Sequence, residues 1–360
     1  MKKIFCSLVA ISISLLTFSQ GFIWNEEIKQ KQKSFIEEIV TLTRSVYPSS
    51  YSLERYAPYV HHQAETGMCV AYALANCRTI IYAKNKRITD KEDINLISFS
   101  PFFSYYHSKE DNDAKCQFGL DPIDALISLR DEGIAQLYDV EYPDYWPFTN
   151  KQLCTYYPPT YRTDKNNAKN YKIDEPRYVS DDLSISKKIV ALKSEISSGN
   201  PIFFAMDPFP SSLWASNGYK LWTPEQSVQC MGVTQSGDQC TRKVKYSAYC
   251  YQHKNNEESS MGHAMVIIAY NDNMYGGAFQ ILNSYGEEWG DNGKIWIRYN
   301  DLITHSLAFF PISRKSESSN LGRSSPELIS SEKDSMENLT SPSFIKTELD
   351  PPWSKSLKKE

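Results

Sequence analysis

The sequence predicts an α+β protein, because helical patterns dominate its first half and strand patterns its second half. The pattern is helical from Cys69 to about Lys84 and again over 182–198. Short apolar runs follow at 201–206 and 264–270, as expected for strands. The 360-residue chain is 41% hydrophobic and 13% aromatic, which is enough apolar material for a sizeable core.

The other elements are predicted from the same periodicities and from the residues that start and stop them. Further helices are expected in three segments: 26–45, a segment that starts at Ser100-Pro101, and 122–133. Further strands are expected at 279–283 and 294–299. Residues 51–62 look extended, and residues 141–175 are predicted to form a long ordered loop.

The N-terminus has the three parts of a secretory signal peptide. Lys2 and Lys3 give a positive start, residues 4–18 form an apolar run, and small and polar residues follow. We assign residues 1–21 to this signal. An uncleaved anchor is the alternative, but the apolar run is short for a membrane span. The sequence therefore predicts an exported protein, periplasmic or extracellular, with no membrane span after removal of the signal.

Composition divides the rest of the chain into three parts. Residues 22–47 form a short helical segment, which is either a brief activation segment or a packing helix. Residues 48–314 form the folded domain, and residues 315–360 are rich in Ser, Glu and Lys and are predicted to be disordered. The formal net charge of −4 gives no overall basic field, so no nucleic-acid partner is expected.

Export makes the cysteines informative, since an oxidising compartment permits disulfides. Of the eight cysteines, Cys6 lies in the signal peptide, and an odd number remains in the mature chain. At least one thiol therefore stays unpaired or serves another purpose. For Cys116 and Cys154, a disulfide and two free thiols are both left open.

Cys69 stands where a reactive thiol is expected. A helix N-terminus and a nearby imidazole stabilise a thiolate, and Cys69 opens a long predicted helix. Gln63 offers an amide donor to an oxyanion beside the N–H of Cys69. Among six histidines only His263 opens a strand-like run, and Asn283 at a strand end can accept from its ring. The alternative is that Cys69 is a buried apolar residue.

Three segments in this order resemble the papain family of cysteine peptidases: QAETGMC at 63–69, GHAMVIIAY at 262–270 and NSYGEEWGDNG at 283–293. The resemblance extends from about Pro48 to Ser313 and includes CQFGLDPIDALISLRDEGI at 116–134. It implies a papain-like fold, with a helical subdomain, a β-barrel-like subdomain and an active-site cleft between them.

The resemblance implies a thiol peptidase that acts on proteins or peptides without a catalytic cofactor. Cys69 would be the nucleophile, His263 the acid and base, and Asn283 the group that orients the imidazole. Gln63 would hold the oxyanion together with the backbone N–H of Cys69. Substrate contacts are implied for the following residues: Gly119, Phe118, Ala264, Tyr285 and Trp289.

Four positions depart from the family's pattern. Tyr285 replaces a tryptophan that covers the Asn–His pair, and Phe118 replaces the first glycine of the substrate-binding loop. Thr66 replaces a disulfide cysteine, and Val70 replaces the tryptophan that follows the nucleophile. Three of these departures, at Tyr285, Phe118 and Val70, support an alternative function, a catalytically inactive binding protein on the same scaffold.

Residues 228–256 form an insert with three cysteines and a histidine. Cys230, Cys240, Cys250 and His253 have the spacing C-x9-C-x9-C-x2-H, which resembles a small Cys3His zinc module. Too few apolar residues lie between them to build a core, so the insert needs a staple. Zinc with four protein ligands would be structural, and a disulfide plus a free thiol is the alternative.

The insert ends shortly before His263, so we expect it beside the cleft on the leaving-group side. Arg242, Lys243, Lys245 and Lys254 give it a basic surface. It would shape substrate access or dock a partner, although a solvated basic face is an equally simple explanation. A third hypothesis makes the insert itself a module that binds protein or nucleic acid.

Overall fold

The computed structural model describes the following residues: 24–37, 47–64, 66–138, 161–206, 219–224, 228–230, 232, 234, 236–244, 250 and 262–314. Within these ranges the helices are α1 Glu26–Gln32, α2 Cys69–Lys86, α3 Lys91–Leu96, α4 Pro101–Ser108, α5 Pro122–Asp131, α6 Tyr161–Ala168, α7 Ile185–Ser198 and α8 Tyr299–His305. The strands are β1 Ile36–Glu37, β2 Ser50–Ser52, β3 Arg177–Tyr178, β4 Ile202–Met206, β5 Leu221–Trp222, β6 Val228–Gln229, β7 Lys243–Val244, β8 His263–Asn271, β9 Ala278–Leu282, β10 Lys294–Arg298 and β11 Ala308–Pro311.

The largest sheet among the described residues has seven strands, and two small sheets pair β1 with β3 and β6 with β7. The strands of the largest sheet lie in the order β11, β4, β8, β9, β10 and β5, and β2 also pairs with β8. Neighbouring strands in this sheet are antiparallel except for β5 and β10. The long strand β8 is buried along nearly its whole length, and both α2 and α7 pack against it.

The central helix α2 is buried over most of its length. Ala71, Ala73 and Ala75 are strong helix formers, and their small side chains allow neighbouring elements to approach closely. The helix ends at Lys86 because Arg87 adopts a left-handed conformation with φ 58°, and its N–H bonds back into the last turn. The helix predicted from Cys69 onward is therefore confirmed.

Periodicity located the other long elements to within about three residues, but two predictions were wrong. The helix expected over 26–45 ends at Gln32, because the chain turns and Ile36–Glu37 pairs in parallel with Arg177–Tyr178. The loop expected over 141–175 contains helix α6. Its polar sequence gives no apolar stripe, and Ala168 at its end is buried beside Gly133.

The N-terminal segment is packed onto the helical part of the fold. The side chain of Asn25 caps α1 by accepting the N–H of Ile28 at 3.0 Å. Nζ of Lys31 lies 2.8 Å from the carboxylate of Asp121 and 2.9 Å from that of Asp124, at the start of α5. These contacts fit a packing helix, one of the two alternatives for 22–47, and they do not test the other, a segment removed on activation.

The predicted signal peptide at 1–21 and the predicted tail at 315–360 lie outside the described residues. No described helix combines the length and the apolar character needed to cross a bilayer. Export and the disorder of the tail therefore stay predictions.

Candidate active site

Cys69 is the first residue of α2 and follows the N-cap residue Met68. Its side chain is buried, and it forms no disulfide. The first N–H groups of an 18-residue helix have no acceptor within the helix, and the helix dipole is positive at this end. The first turn contains no acidic residue. This environment favours a thiolate at Cys69.

His263 and Asn283 form a buried hydrogen-bonded pair. His263 begins β8, and Asn283 directly follows β9, the antiparallel neighbour of β8. Nε2 of His263 lies 2.7 Å from Oδ1 of Asn283. The backbone N–H of Ser284 donates to the same atom at 2.8 Å, which fits an oxygen. Nε2 therefore carries the hydrogen, and in the neutral ring Nδ1 holds the lone pair.

Tyr285 covers the imidazole at the position where the sequence departs from tryptophan. Its ring stacks on that of His263 with centroids 4.8 Å apart and 23° between the planes. Its hydroxyl lies 3.3 Å from Nδ1 of His263. Trp289 packs edge-on against Tyr285 with ring centroids 6.1 Å apart. The aromatic cover is thus present, and it carries a hydroxyl that tryptophan lacks.

Helix α2, which begins at Cys69, packs against strand β8, which begins at His263. Burial raises the pKa of the Tyr285 hydroxyl, and the negative charge of a Cys69 thiolate raises it further. Because the same hydroxyl lies 3.3 Å from Nδ1 of His263, sulfur and imidazole share this neighbour.

Burial controls the charge of His263. The side chain is fully buried, and desolvation lowers its pKa to about 4, although the bond to Asn283 opposes the shift. The ring alone is therefore neutral at pH 7. An imidazolium at this position needs a nearby negative charge to stabilise it, and a thiolate at Cys69 would provide one.

The amide of Gln63 is held from two sides. Its Oε1 accepts from the hydroxyl of Ser284 at 2.6 Å, and its Nε2 donates to the carbonyl of Thr66 at 2.8 Å. The hydroxyl of Thr66 returns a bond to the carbonyl of Gln63 at 2.6 Å. These reciprocal bonds tie the turn together at the position where the disulfide cysteine is absent. The second hydrogen on Nε2 is left for another acceptor.

The predicted substrate loop at 116–119 packs against the loop before the nucleophile. The N–H of Gly67 donates to the carbonyl of Cys116 at 2.6 Å. A Cβ on Gly67 would lie 2.6 Å from the backbone nitrogen of Gly119, so the contact requires glycine. Cys116 is disulfide-bonded, and its suggested partner Cys154 lies outside the described residues.

Two buried side chains brace this loop. The hydroxyl of Tyr105 donates to the carboxylate of Asp113 at 2.6 Å and accepts the N–H of Gly119 at 3.2 Å. Asp113 also accepts the N–H of Gln117 at 2.9 Å. The N–H of Gly119 is thus already bonded within the protein.

Comparisons of structure with known proteins support the fold, whereas comparisons of sequence found no match. The sequence matches no protein-family model and no curated protein. Xylellain, a cysteine protease from Xylella fastidiosa, matches with a TM-score of 0.57 and 20% identity, over 82% of this chain and 96% of that chain. The chain has a papain-like fold. The α+β and papain-like architecture predicted from sequence is therefore confirmed.

Two further structures agree with this fold. The digestive procathepsin L2 proteinase from Tenebrio molitor larval midgut has a TM-score of 0.53 and 16% identity, over 82% of this chain and 79% of that chain. The proCathepsin B S9 from Trypanosoma congolense has a TM-score of 0.51 and 16% identity, over 81% of this chain and 87% of that chain. At these identities the similarity concerns the fold alone.

The predicted substrate contacts differ in their exposure within the papain-like fold. Phe118 is 53% exposed, next to the buried Gly119, and Tyr285 is half-buried. Ala264 and Trp289 are only 1% and 3% exposed, so they offer a substrate little side-chain surface. Contact of these residues with a substrate stays a prediction.

Three residues that hydrogen-bond to the candidate site were not predicted from the sequence. Ser284 connects Gln63 to Asn283, and the signal that points to it is its place directly after Asn283. Tyr105 and Asp113 brace the substrate loop, but no spacing in the sequence distinguishes them from ordinary helix and loop residues. Their roles follow from contacts between segments that only the papain-like fold brings together.

Cys230, Cys240 and Cys250 form a separate buried cluster in the insert, beside the ribbon of β6 and β7. None of the three forms a disulfide in this structure, so the disulfide alternative is not found here. Their sulfur atoms lie within 4.8 Å of one another, and those of Cys240 and Cys250 are 3.9 Å apart. Two sulfurs bound to one tetrahedral zinc ion are roughly 3.8 Å apart, given Zn–S bonds of about 2.3 Å.

Donors surround these sulfurs. The backbone N–H groups of Gly232 and Cys250 donate to the sulfur of Cys230 at 3.4 and 3.1 Å. The guanidinium of Arg242 donates to the sulfur of Cys250 at 3.7 Å. Such donors stabilise thiolates, the form that binds metal. His253 lies outside the described residues, as do Lys245 and Lys254.

Proposed function

We propose that the protein is an exported, thiol-dependent peptidase whose nucleophile is Cys69. The observation that carries the proposal is the buried His263–Asn283 bond, which leaves the lone pair of the neutral ring on Nδ1. A thiol at a helix N-terminus needs such a base. Burying an imidazole and an amide costs desolvation free energy, and a scaffold used only for binding would have no need of it.

The reaction would begin with a proton transfer from the thiol of Cys69 to Nδ1 of His263. Burial disfavours either charge alone, so thiolate and imidazolium would form together as one pair. The N-terminus of α2 stabilises the sulfur anion. The Oδ1 atom of Asn283 stabilises the imidazolium through its bond with Nε2.

The thiolate would then attack the carbonyl carbon of the scissile bond, and the carbonyl electrons would move onto oxygen. The N–H of Cys69 and the remaining amide hydrogen of Gln63 would donate to this oxyanion. Collapse of the intermediate breaks the C–N bond while His263 gives its proton to the leaving amine. Water, deprotonated by the neutral ring of His263, would hydrolyse the thioester and restore the thiol.

Hydrolysis of an unfolded protein such as reduced casein tests this proposal. Cys69→Ala should lower turnover at least 1,000-fold, because it removes the group that forms the acyl-enzyme. Cys77→Ala is the matched control, since Cys77 is a buried free thiol in the same helix. It should keep turnover within about two-fold. Equal loss in both variants, or none in either, would contradict the assignment of Cys69.

We propose in addition that Cys230, Cys240 and Cys250 bind zinc, with His253 as the fourth ligand. The sulfur separations and the donors to the sulfurs support three zinc thiolates. The site would hold the insert together, since four protein ligands leave no open position for water. No catalytic step uses it.

Metal analysis of the purified protein tests the zinc proposal. One equivalent of zinc per chain is expected in the wild type and in Cys77→Ala, and Cys240→Ser should lose most of it. Counting the free thiols after denaturation distinguishes a disulfide from a zinc site. Absence of zinc together with two missing thiols from 230–250 would show a disulfide instead.

The proposal of export rests on residues 1–21, which have the charge and apolar pattern of a signal peptide. Expression of the full chain should yield a mature protein that begins close to residue 22 outside the cytoplasm. N-terminal sequencing checks this, and an intact Met1 in the membrane fraction would support the anchor alternative.

A further inference from the structure

The hydroxyl of Tyr285 lies beside the ring nitrogen of His263 that the proposed reaction uses. Nε2 bonds to Asn283, so Nδ1 is the atom left for proton exchange with the thiol of Cys69. The hydroxyl of Tyr285 lies 3.3 Å from that nitrogen. Stacking at 4.8 Å holds the phenol in this place, and the backbone of Tyr285 forms a bridge with that of His62.

The neutral ring has one lone pair on Nδ1, which can accept one strong hydrogen bond. Two donors can compete for it, the O–H of Tyr285 and the S–H of Cys69. When the phenol donates, the thiol cannot pass its proton to the ring. Once Nδ1 is protonated, it becomes a donor. Its hydrogen bond to a thiolate at Cys69 is then stronger than its hydrogen bond to the phenol oxygen of Tyr285.

We propose that Tyr285 is a positioning residue that holds His263 neutral in the resting enzyme and so sets the pH at which Cys69 ionises. The inference rests on the proposed peptidase function and assigns a regulatory effect to the hydroxyl within the same site. It concerns this chain's own departure from tryptophan, since indole places no hydroxyl at Nδ1.

Several titratable groups lie around the pair besides the phenol of Tyr285. Cys69 on α2 and Tyr105 on α4 are the titratable groups on the thiol side. Burial and the neighbouring Asp113 raise the pKa of the Tyr105 hydroxyl most, and a thiolate at Cys69 raises it further. On β4, the uncharged Met206 pairs with His263. The ring of His62 lies 6.2 Å from that of Tyr285, and burial lowers its pKa.

The distance limits the size of the effect. An O–H donor bonds most strongly at about 2.8 Å, so a contact of 3.3 Å is expected at the weaker end of neutral hydrogen bonds. Removing it should shift the balance between the neutral pair and the ion pair by about five-fold or slightly less.

The rate at which iodoacetamide alkylates Cys69, followed by intact mass from pH 4 to 9, tests the inference. Tyr285→Phe keeps the stacked ring and removes only the hydroxyl. It should react up to about five-fold faster than the wild type on the plateau near neutral pH, and the midpoint of the acid limb should shift to higher pH, because the neutral ring loses its donor. Tyr138→Phe, a change at a tyrosine that is 71% exposed, is the matched control and should follow the wild type.

The outcomes separate this inference from the proposed function. An unchanged pH profile in Tyr285→Phe, with rapid labelling of the wild type, overturns the inference and leaves the peptidase proposal intact. Slower labelling also overturns it, because the hydroxyl would then stabilise the thiolate. A Cys69 that reacts like an ordinary thiol in every variant overturns both.

A second measurement, on protein that lacks the Cys69 thiol, tests the inference independently of labelling rates in Tyr285→Phe. In Cys69→Ala protein labelled with ¹⁵N-histidine, the nitrogen shifts of His263 report its protonation directly. Adding Tyr285→Phe should raise the pKa of His263, because the neutral ring loses its donor. A pKa that stays the same or falls contradicts the inference.

Discussion

At the scale of single residues, one hydrogen-bonded chain connects the two halves of the candidate site. The hydroxyl of Ser284 holds the amide of Gln63, and its backbone N–H holds the side chain of Asn283, which in turn holds His263. These atoms are buried, where an unsatisfied polar group destabilises a protein by about 1–3 kcal/mol. This series of hydrogen bonds therefore fixes both Gln63, the proposed oxyanion donor, and His263, the proposed base.

Ser284→Ala separates these two functions, because it removes the bond to Gln63 and keeps the backbone bond to Asn283. We expect turnover to fall about ten-fold, since an oxyanion donor loses its orientation. Alkylation of Cys69 should keep its rate, and Ser197→Ala on the outer helix α7 should change neither. Steady-state kinetics and labelling rates measure the two effects. A parallel loss of both would contradict separate roles.

His107 makes the fold sensitive to acid. Burial, and then the charge of Lys165, lowers its pKa to about 4, and its ring packs on Phe103 with centroids 4.1 Å apart. The unfolded chain binds a proton near the ordinary pKa of 6.5, whereas the folded chain does so only near 4. Stability is therefore lost as the pH falls from about 6.5 to about 4.

His107→Gln should remove part of this pH dependence. Relative to its value at pH 7, the free energy of unfolding of the variant at pH 4.5 should fall by on the order of 2 kcal/mol less than that of the wild type. Urea unfolding across this pH range measures it. Ser108→Ala in the same helix should shift stability equally at every pH, and an identical slope in His107→Gln would show that other groups cause the acid loss.

At the scale of elements, the site depends on the close contact between the loop before α2 and the loop at 116–119. A methyl group on Gly67 would lie 2.6 Å from the nitrogen and 2.9 Å from the Cα of Gly119. Backbone cannot yield to such a contact without moving the loop. Gly67→Ala should therefore lower turnover about 100-fold or more and reduce the yield of folded protein.

The matched control for this change is Gly237→Ala, at a turn where a Cβ meets nothing within 4 Å. It should cost only the backbone strain of a positive φ and leave turnover unchanged. Thermal melting and casein hydrolysis compare the two variants. Full activity in Gly67→Ala would contradict the packing of the two loops.

Some elements could be predicted from the sequence and others could not, for physical reasons. The helix from Cys69 and the strands at 263–271 and 278–282 have a strong local pattern, and the site residues lie at their ends. The end of α1 at Gln32 could not be predicted, because a strand pairing with 177–178 overrides helical spacing. The hydrogen bonds of Tyr105 to Asp113 and Gly119 likewise could not be predicted, because they join segments that come together only in the fold.

At the scale of the whole molecule, the insert and the main domain have separate apolar clusters. The main core runs from α1 through the sheet, whereas the cluster found among the described residues of the insert consists of its three cysteines. If zinc holds the insert, a chelator should unfold the insert and leave the core folded. We expect faster amide exchange over 228–244 and unchanged exchange in β8, as measured by hydrogen exchange with mass spectrometry. Unchanged exchange over 228–244 after complete zinc removal would contradict a stabilising role.

Labelling of the mature protein by an epoxysuccinyl thiol probe determines whether Cys69 is an activated thiolate. We expect one adduct on the wild type and on Cys77→Ala, formed rapidly at pH 6 to 7, and none on Cys69→Ala. Peptide mapping should place the adduct on Cys69. A Cys69 that labels no faster than a free cysteine would contradict the proposed peptidase function and would support a binding protein on a papain-like scaffold.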